Sequence, residues 1–176
     1  VTGPVIEASY RRFLTAFEAH LRRLPYLLGE RPSACDFAVF GQLTQLAEFD
    51  PTPMALTLQT APRVTAWVGL MEDQSGVEPR DDGWVSMDVP PDTLNGVLAE
   101  IGRVYPPVML ANAAAVAAKA DEVRAEVDGE VWTQQPFPYQ AKCLGWLRQS
   151  RADLSPKARQ QVDGVLEPAG LSGLFA

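Results

Sequence analysis

Between Pro4 and Leu24, apolar residues return every three or four positions: Ile6, Tyr10, Phe13, Leu14, Phe17, Leu21 and Leu24. That period places them on one stripe of an amphipathic helix. The other face carries Arg11, Arg12, Glu18, Arg22 and Arg23. Pro25 stops the helix just after two arginines that suit its negative C-terminal end. His20, the sole histidine, reads as an ordinary helix-surface residue. It has no second histidine, cysteine or acid at a spacing that compels metal ligation.

A second helix is expected from Ser33 to about Glu48, with Phe37, Phe40, Leu43, Leu46 and Ala47 inward. Ser33 and Asp36 stand three apart, the spacing of a capping box in which hydroxyl and carboxylate each satisfy the other residue's backbone amide. Pro32 and Phe37 flank the box as a hydrophobic staple, and Asp36 faces the positive end of the helix dipole. Gly41 lies inside the helix, where glycine is costly, and points to close approach by a neighbouring helix. After the Asp50-Pro51-Thr52-Pro53 break, a short segment spans Met54 to Gln59. A further helix starts near Thr60 with Pro62 in its first turn, carries Val64, Trp67, Val68 and Met71, and ends around Asp73.

Residues 75–91 change character, with glycines, prolines and acids around Trp84, and read as a linker or long surface loop. Trp84 and Met87 are expected to anchor it, a ligand-stacking role for Trp84 being the alternative. From Asp92 the helical period resumes through Leu94, Val97, Leu98, Ile101, Val104 and Tyr105. At Pro106-Pro107 the helix either kinks or restarts before an alanine-rich continuation to about Ala120. The period then drops to two: Val123, Ala125 and Val127 alternate with charged residues, and Asp128-Gly129 predicts a tight hairpin into 130–134. A helix follows Pro136-Phe137-Pro138 with Tyr139, Cys143, Leu144, Trp146, Leu147 and Ser150. Ser155-Pro156 opens a last helix with Ala158, Val162, Val165 and Leu166 inward, ended by Pro168 and Gly170.

Composition narrows the class. The 176 residues are 47% hydrophobic and 21% charged, which suits a folded chain and not a disordered one. A net charge of −7 and a pI near 4.7 argue against a general phosphate-binding surface, so nucleic acid is not an expected partner. No apolar run approaches the length that spans a bilayer, and no signal peptide is visible, so the expected location is cytoplasmic without a membrane partner. The chain opens at Val1 without methionine and is soon in a helical pattern, as a fragment would be.

Candidate chemistry is sparse. Tyr139, Gln140, Lys142 and Cys143 fall in the first turns of one helix, where a thiol beside a lysine can gain thiolate character and act as a nucleophile or ligand group. Against this, Cys143 shares an apolar stripe with Tyr139 and Trp146, which suits a buried, inert thiol. Cys35, inside the capping box, reads as structural too. Carboxylate pairs such as Asp81-Asp82 and Glu72-Asp73 read as solvated surface. The sequence contains no glycine-rich phosphate loop, nucleophile elbow or Cys-x-x-Cys pair.

The run Tyr26-Leu27-Leu28-Gly29-Glu30-Arg31-Pro32-Ser33-Ala34-Cys35-Asp36 resembles the apolar-Leu-Gly-x-x-Pro-Ser-x-x-Asp signature of the glutathione S-transferase C-terminal helical domain. Pro62-Arg63-Val64-Thr65-Ala66-Trp67-Val68 looks like the helix after it in bacterial members, with Asp50-Pro51 as the connecting turn. Residues 132–148 resemble a C-terminal extension of certain bacterial relatives, for which no role is carried over. The resemblance implies a mainly α fold: a partial glutathione S-transferase C-terminal-like bundle over 1–74, a linker over 75–91, and a helical extension over 92–176 with a hairpin near 123–134. It further implies glutathione-dependent transfer to a small electrophile for an intact member. The thioredoxin-like half that binds glutathione and the first helix of the domain are not visible here. No catalytic, cofactor-binding or metal residue is therefore carried over, and this chain alone is expected to be inactive. The alternative expectation is a non-catalytic binding or interaction module on the same scaffold, pairing as a homodimer or mixed oligomer.

Overall fold

In the computed structural model, which describes residues 3–78 and 80–176, helix α1 runs Gly3–Leu21. It ends one turn earlier than the apolar spacing suggests, because residues 22–23 already form a turn ahead of Pro25. Helix α2 (Ala34–Leu43) passes directly into a wider π turn, Thr44–Phe49. Helix α3 (Pro51–Thr60) follows, its N-terminus capped by Asp50, whose carboxylate accepts from the Thr52 amide at 3.0 Å. Helix α4 is Pro62–Glu72, with Val64, Trp67, Val68 and Met71 all buried. Helix α5 is Asp92–Ala118, strands β1 and β2 are Val123–Val127 and Glu130–Gln134, and helices α6 and α7 are Pro138–Ala152 and Pro156–Leu166. A short 3-10 turn, Ser172–Phe175, ends the chain. The fold is mainly helical with one small antiparallel hairpin.

Two compact units emerge. Tyr10–Val97 forms one, and the described residues up to Ser9 form the other together with Leu98–Ala176. The core of the first gathers Leu14 and Phe17 of α1, Leu43 of α2, Ala47, and Val64, Trp67, Val68 and Met71 of α4. Phe17 and the Trp67 indole stand nearly perpendicular, 4.9 Å between centroids, the T-shaped geometry that aromatic quadrupoles favour.

Several inward assignments are revised by this core. Phe37 is 49% exposed, and Leu46 also faces outward. The cause is Asp36, which is fully buried and fixes the inward direction of α2 through Asp36, Phe40, Leu43 and Ala47; Phe37, one residue on, is rotated about 100° away. The π turn then brings Ala47, not Leu46, to the inside. Gly41 has nothing within 4 Å of where a Cβ would stand, so no helix crowds it. Ile6 is also exposed. The opposite error occurs in α1: Glu18 and His20 are buried, although both read as surface residues. They stand four after Leu14 and three after Phe17, on the same stripe as the core.

Residues 75–91 belong to the first unit and are held by backbone. Glu30 donates to the Gly83 carbonyl and Val85 to the Leu28 carbonyl, both at 2.8 Å. Gly29, at φ +139°, sits so close to residue 83 that a Cβ would fall 2.0 Å from the Gly83 carbonyl oxygen. Only glycine fits there. Trp84 is 47% exposed with the Arg31 guanidinium over its ring at 5.8 Å, so the backbone, not the indole, ties the loop down.

In the second unit, α5 continues through Pro106 and Pro107 as one helix. The prolines remove the donors that the Gly102 and Arg103 carbonyls would otherwise receive. Close packing occurs at Gly102, where a Cβ would stand 1.7 Å from the Ala169 carbonyl oxygen. The hairpin pairs Val123 with Gln134 and Val127 with Glu130, and its turn has both Asp128 (φ 55°) and Gly129 (φ 78°) left-handed, as a type I′ turn requires. Val123 and Val127 are buried, while Ile101 of α5 is partly exposed. Met109, Leu144, Ala169, Leu171 and Leu174 form a second apolar cluster, within this unit.

Candidate functional site

The most elaborate polar arrangement surrounds residues 25–36. Three consecutive residues of this turn give up a backbone group to a side chain from a different helix. The Trp67 indole of α4 donates to the Pro25 carbonyl at 3.0 Å. His20 of α1 donates through Nε2 to the Tyr26 carbonyl at 3.0 Å, and the Leu27 amide donates to Asp36 Oδ1 of α2 at 2.8 Å. The second carboxylate oxygen of Asp36 takes the Ser33 amide at 2.9 Å and the Ser33 hydroxyl at 2.5 Å, within a complete capping box. Buried backbone groups must be paired, and here side chains do what a sheet or helix ladder would do elsewhere. Glu18 plays the same part for α4: its carboxylate accepts the Arg63 amide, one of the orphan donors at that helix's N-terminus, at 2.9 Å.

This arrangement is poor material for catalysis. The Cys35 thiol lies 2.8 Å from Ser33 Oγ and 4.0 Å from Asp36 Oδ2. Burial pushes its ionisation up, the nearby Asp36 charge adds to that, and the Ser33 hydrogen bond only partly offsets them. Little thiolate forms at neutral pH, which removes the nucleophile. The phenol of Tyr10 is likewise pushed up by burial, with its bond to Thr57 Oγ1 at 2.6 Å acting the other way.

The α6 residues singled out by sequence do not converge on one point. Tyr139 is 56% exposed and meets Trp146 edge-on at 5.9 Å, while Phe137 lies 6.3 Å from Tyr139. The Lys142 ammonium sits over the Trp146 ring at 5.0 Å. Gln140 turns toward the hairpin, its amide oxygen accepting from Gln134 Nε2 at 3.2 Å. Cys143 alone of the four faces the interior, half-buried against the second apolar cluster. Tyr139, Trp146 and Leu147, which the helical period groups with the core, are partly exposed, and Leu144 takes the buried position. The residue that sequence reasoning missed is Asn112 of α5. It is fully buried and clamps residue 137 from both sides, donating to the Phe137 carbonyl at 2.9 Å and accepting its amide at 2.7 Å. Its spacing of three from both Met109 and Ala115 was the available signal, a polar residue on an apolar stripe.

A cavity of about 280 Å³ near the chain's end is lined by Arg151, Asp163, Glu167 and Phe175. Its cation is already committed. Arg151 makes two 2.7 Å bonds to Asp163 and lies over the Phe175 ring at 5.4 Å. The bidentate pair holds the Asp163 carboxyl below its ordinary range. No grouping of three or more potential metal ligands occurs among the described residues. Among them, too, no helix is long and apolar enough to cross a membrane.

Residues 5–69, from α1 into α4, match the family model of the glutathione S-transferase C-terminal domain. That stretch is a glutathione S-transferase C-terminal-like module. It holds all four side chains that brace the turn and the helix caps: Glu18, His20, Asp36 and Trp67. The match does not extend into α5, the hairpin, α6 or α7. No curated protein and no solved structure matches the chain.

Proposed function

We propose that this chain is the helical, substrate-side portion of a glutathione S-transferase-like protein and that it does not transfer glutathione by itself. In this reading a thioredoxin-like half binds glutathione and stabilises its thiolate, and the helical portion helps hold a small electrophile. The match over residues 5–69 supports the family role. The observation that supports the inactivity is that the matched stretch offers no ready group to activate a glutathione thiol: Cys35 lies inside the module, and burial together with Asp36 disfavours its thiolate. The polar groups richest in partners, Asp36, His20 and Glu18, are spent on backbone amides and carbonyls and have little left to offer a substrate.

The test takes the 176-residue chain, shown to be folded by circular dichroism and a cooperative melt. It is titrated with millimolar glutathione by calorimetry and assayed for conjugation of glutathione to an aryl halide. The expected result is no saturable heat and a rate equal to the buffer rate. Saturable transfer that disappears on heat denaturation would refute the proposal. Glutathione binding without transfer would favour the rival reading of a non-catalytic binding module.

A further inference from the structure

An open cavity of about 400 Å³ in the first unit lies where the end of α1 meets the start of α5 and the chain leading into it. That volume is at the small end of the range of about 300–1,000 Å³ typical of ligand pockets. It brings together two charges of opposite sign, Arg23 and Asp92. No ion pair joins them, and neither has another side-chain partner among the described residues. An ordinary surface charge shares its field with water in all directions, but a cation and an anion facing one cavity unpaired define a ligand with charges of its own. A simple anion would be repelled by Asp92 and a simple cation by Arg23. A zwitterion satisfies both.

The two hydroxyls on the wall have complementary roles, each decided by its existing bond. A carbonyl only accepts, so the bond from His20 to Tyr26 O puts the ring proton on Nε2. On the neutral ring Nδ1 is then the acceptor, and Thr93 Oγ1, 3.1 Å away, donates to it. The Thr93 proton is committed, and its oxygen is left as an acceptor. Ser86 is the reverse case. Its Oγ already accepts the Asp88 amide at 3.3 Å, and its proton remains free to be donated. The cavity lining therefore holds one cation, one anion, one hydroxyl free to donate and one left to accept. The rest of its wall is aliphatic: Leu24, Val85, Val89 and Pro91.

We propose that this cavity is a binding site for a small aliphatic zwitterion of the α-amino-acid class. The carboxylate meets Arg23 and Ser86, the ammonium meets Asp92 and Thr93, and a branched hydrocarbon side chain lies on the valines and leucine. The site stands apart from the glutathione-transfer reading and does not depend on it.

The test is a calorimetric titration of the full chain with L-leucine, N-acetyl-leucine and leucine amide, which keep both charges, the negative alone and the positive alone. Leucine is expected to bind saturably, and each derivative about tenfold or more weaker, the loss of one charge-assisted contact. The variants Arg23→Gln and Asp92→Asn change exposed residues; Arg23→Gln is expected to keep the wild-type melting profile, and Asp92→Asn, which removes a negative charge from the first turn of α5, to melt slightly lower while staying folded. Arg23→Gln is expected to bind leucine and leucine amide alike, and Asp92→Asn to bind leucine and acetyl-leucine alike. Absence of saturable leucine binding overturns the proposal, as does equal affinity for all three compounds in the wild-type protein. The ligand series on the wild-type chain decides the matter even if a variant loses its fold.

Discussion

Removing the Asp36 carboxylate should unfold the first unit's turn more effectively than any single apolar truncation of comparable size. The side chain is fully buried, and three donors depend on it: the amides of Leu27 and Ser33 and the Ser33 hydroxyl. In Asp36→Ala the hydroxyl can turn elsewhere, but the buried Leu27 amide is stranded, at a cost of about 2 kcal/mol, and the part-buried Ser33 amide at about 1 kcal/mol. Loss of a negative charge at the N-terminus of α2 adds about 1 kcal/mol. The sum is about 4 kcal/mol, a large share of the stability of about 5–15 kcal/mol usual for a domain. Asp36→Asn keeps one acceptor but turns an NH2 group toward a backbone donor, and should cost about 2 kcal/mol. Urea titrations followed by far-ultraviolet circular dichroism measure both, with the midpoint falling at unchanged slope. Tryptophan fluorescence gives a second view, since Trp67 holds the same turn through Pro25. An Asp36→Ala protein within about 1 kcal/mol of wild type would refute the claim that this carboxylate organises the turn.

The glycines give a paired prediction. Gly41→Ala should stabilise by about 0.5–1 kcal/mol, since a helix-interior position with open space gains the alanine preference at no steric cost. Gly102→Ala should destabilise by about 3 kcal/mol because its Cβ would collide with the Ala169 carbonyl; thermal melts that rank the two the other way would overturn the packing argument. In a Cys143→Ser background, a disulfide reagent should label Cys35 at least about tenfold more slowly in the native than in the urea-unfolded protein at pH 8, as burial and Asp36 suppress its thiolate. Equal rates would show that the thiol is not held in this way. The Arg151–Asp163 pair predicts the sign of an acid effect. Asp163 ionises below its ordinary value, so its contribution is present above the unfolded carboxyl's pKa of about 3.9 and fades as pH falls through the lower folded value. Wild type should therefore melt above Asp163→Asn at neutral pH and converge with it in acid, and a constant gap across that range would count against the pair.

The helices and the hairpin were legible in the sequence because their signals are local. Pro62, Ser155-Pro156 and Asp128-Gly129 act within one turn of themselves, and the structure places α4, α7 and the hairpin where those residues require. The facing of α2 was less legible. An apolar count put Phe37 inward, but the direction is decided by Asp36, whose partner Leu27 lies nine residues back. His20 and Glu18 were misplaced for a related reason. By residue type both belong in solvent, whereas their spacing from Phe17 and Leu14 puts them in the core, and their partners, Tyr26, Thr93 and Arg63, lie on other segments. Gly41 and Gly102 are indistinguishable as sequence, both glycines inside helices. The difference is what crosses them, and that depends on a segment 67 residues further along in the case of Gly102, at Ala169.

The same separation between spent and unspent polar groups divides scaffold from candidate site. A buried polar residue earns its place only with partners, and Glu18, His20, Asp36, Thr57 and Asn112 each have them in the backbone or in one another's neighbours. Such groups give a unique fold, but their lone pairs and protons are used, so they are weak candidates for binding anything else. Binding capacity remains where a polar group stands at a concave surface with valence left over. Thr93 lies on that boundary: its proton holds His20, and through His20 the Tyr26 carbonyl, while the residue also lines the cavity that Arg23 and Asp92 share. A Thr93→Val substitution tests the two roles together. It should weaken leucine binding by removing the acceptor, and lower the melting temperature by leaving His20 Nδ1 without its donor, at about 1–2 kcal/mol. Thr93→Ser, which restores the hydroxyl, should recover both. If serine recovered stability but not binding, or neither changed in valine, the link between the buried histidine and the cavity would be broken.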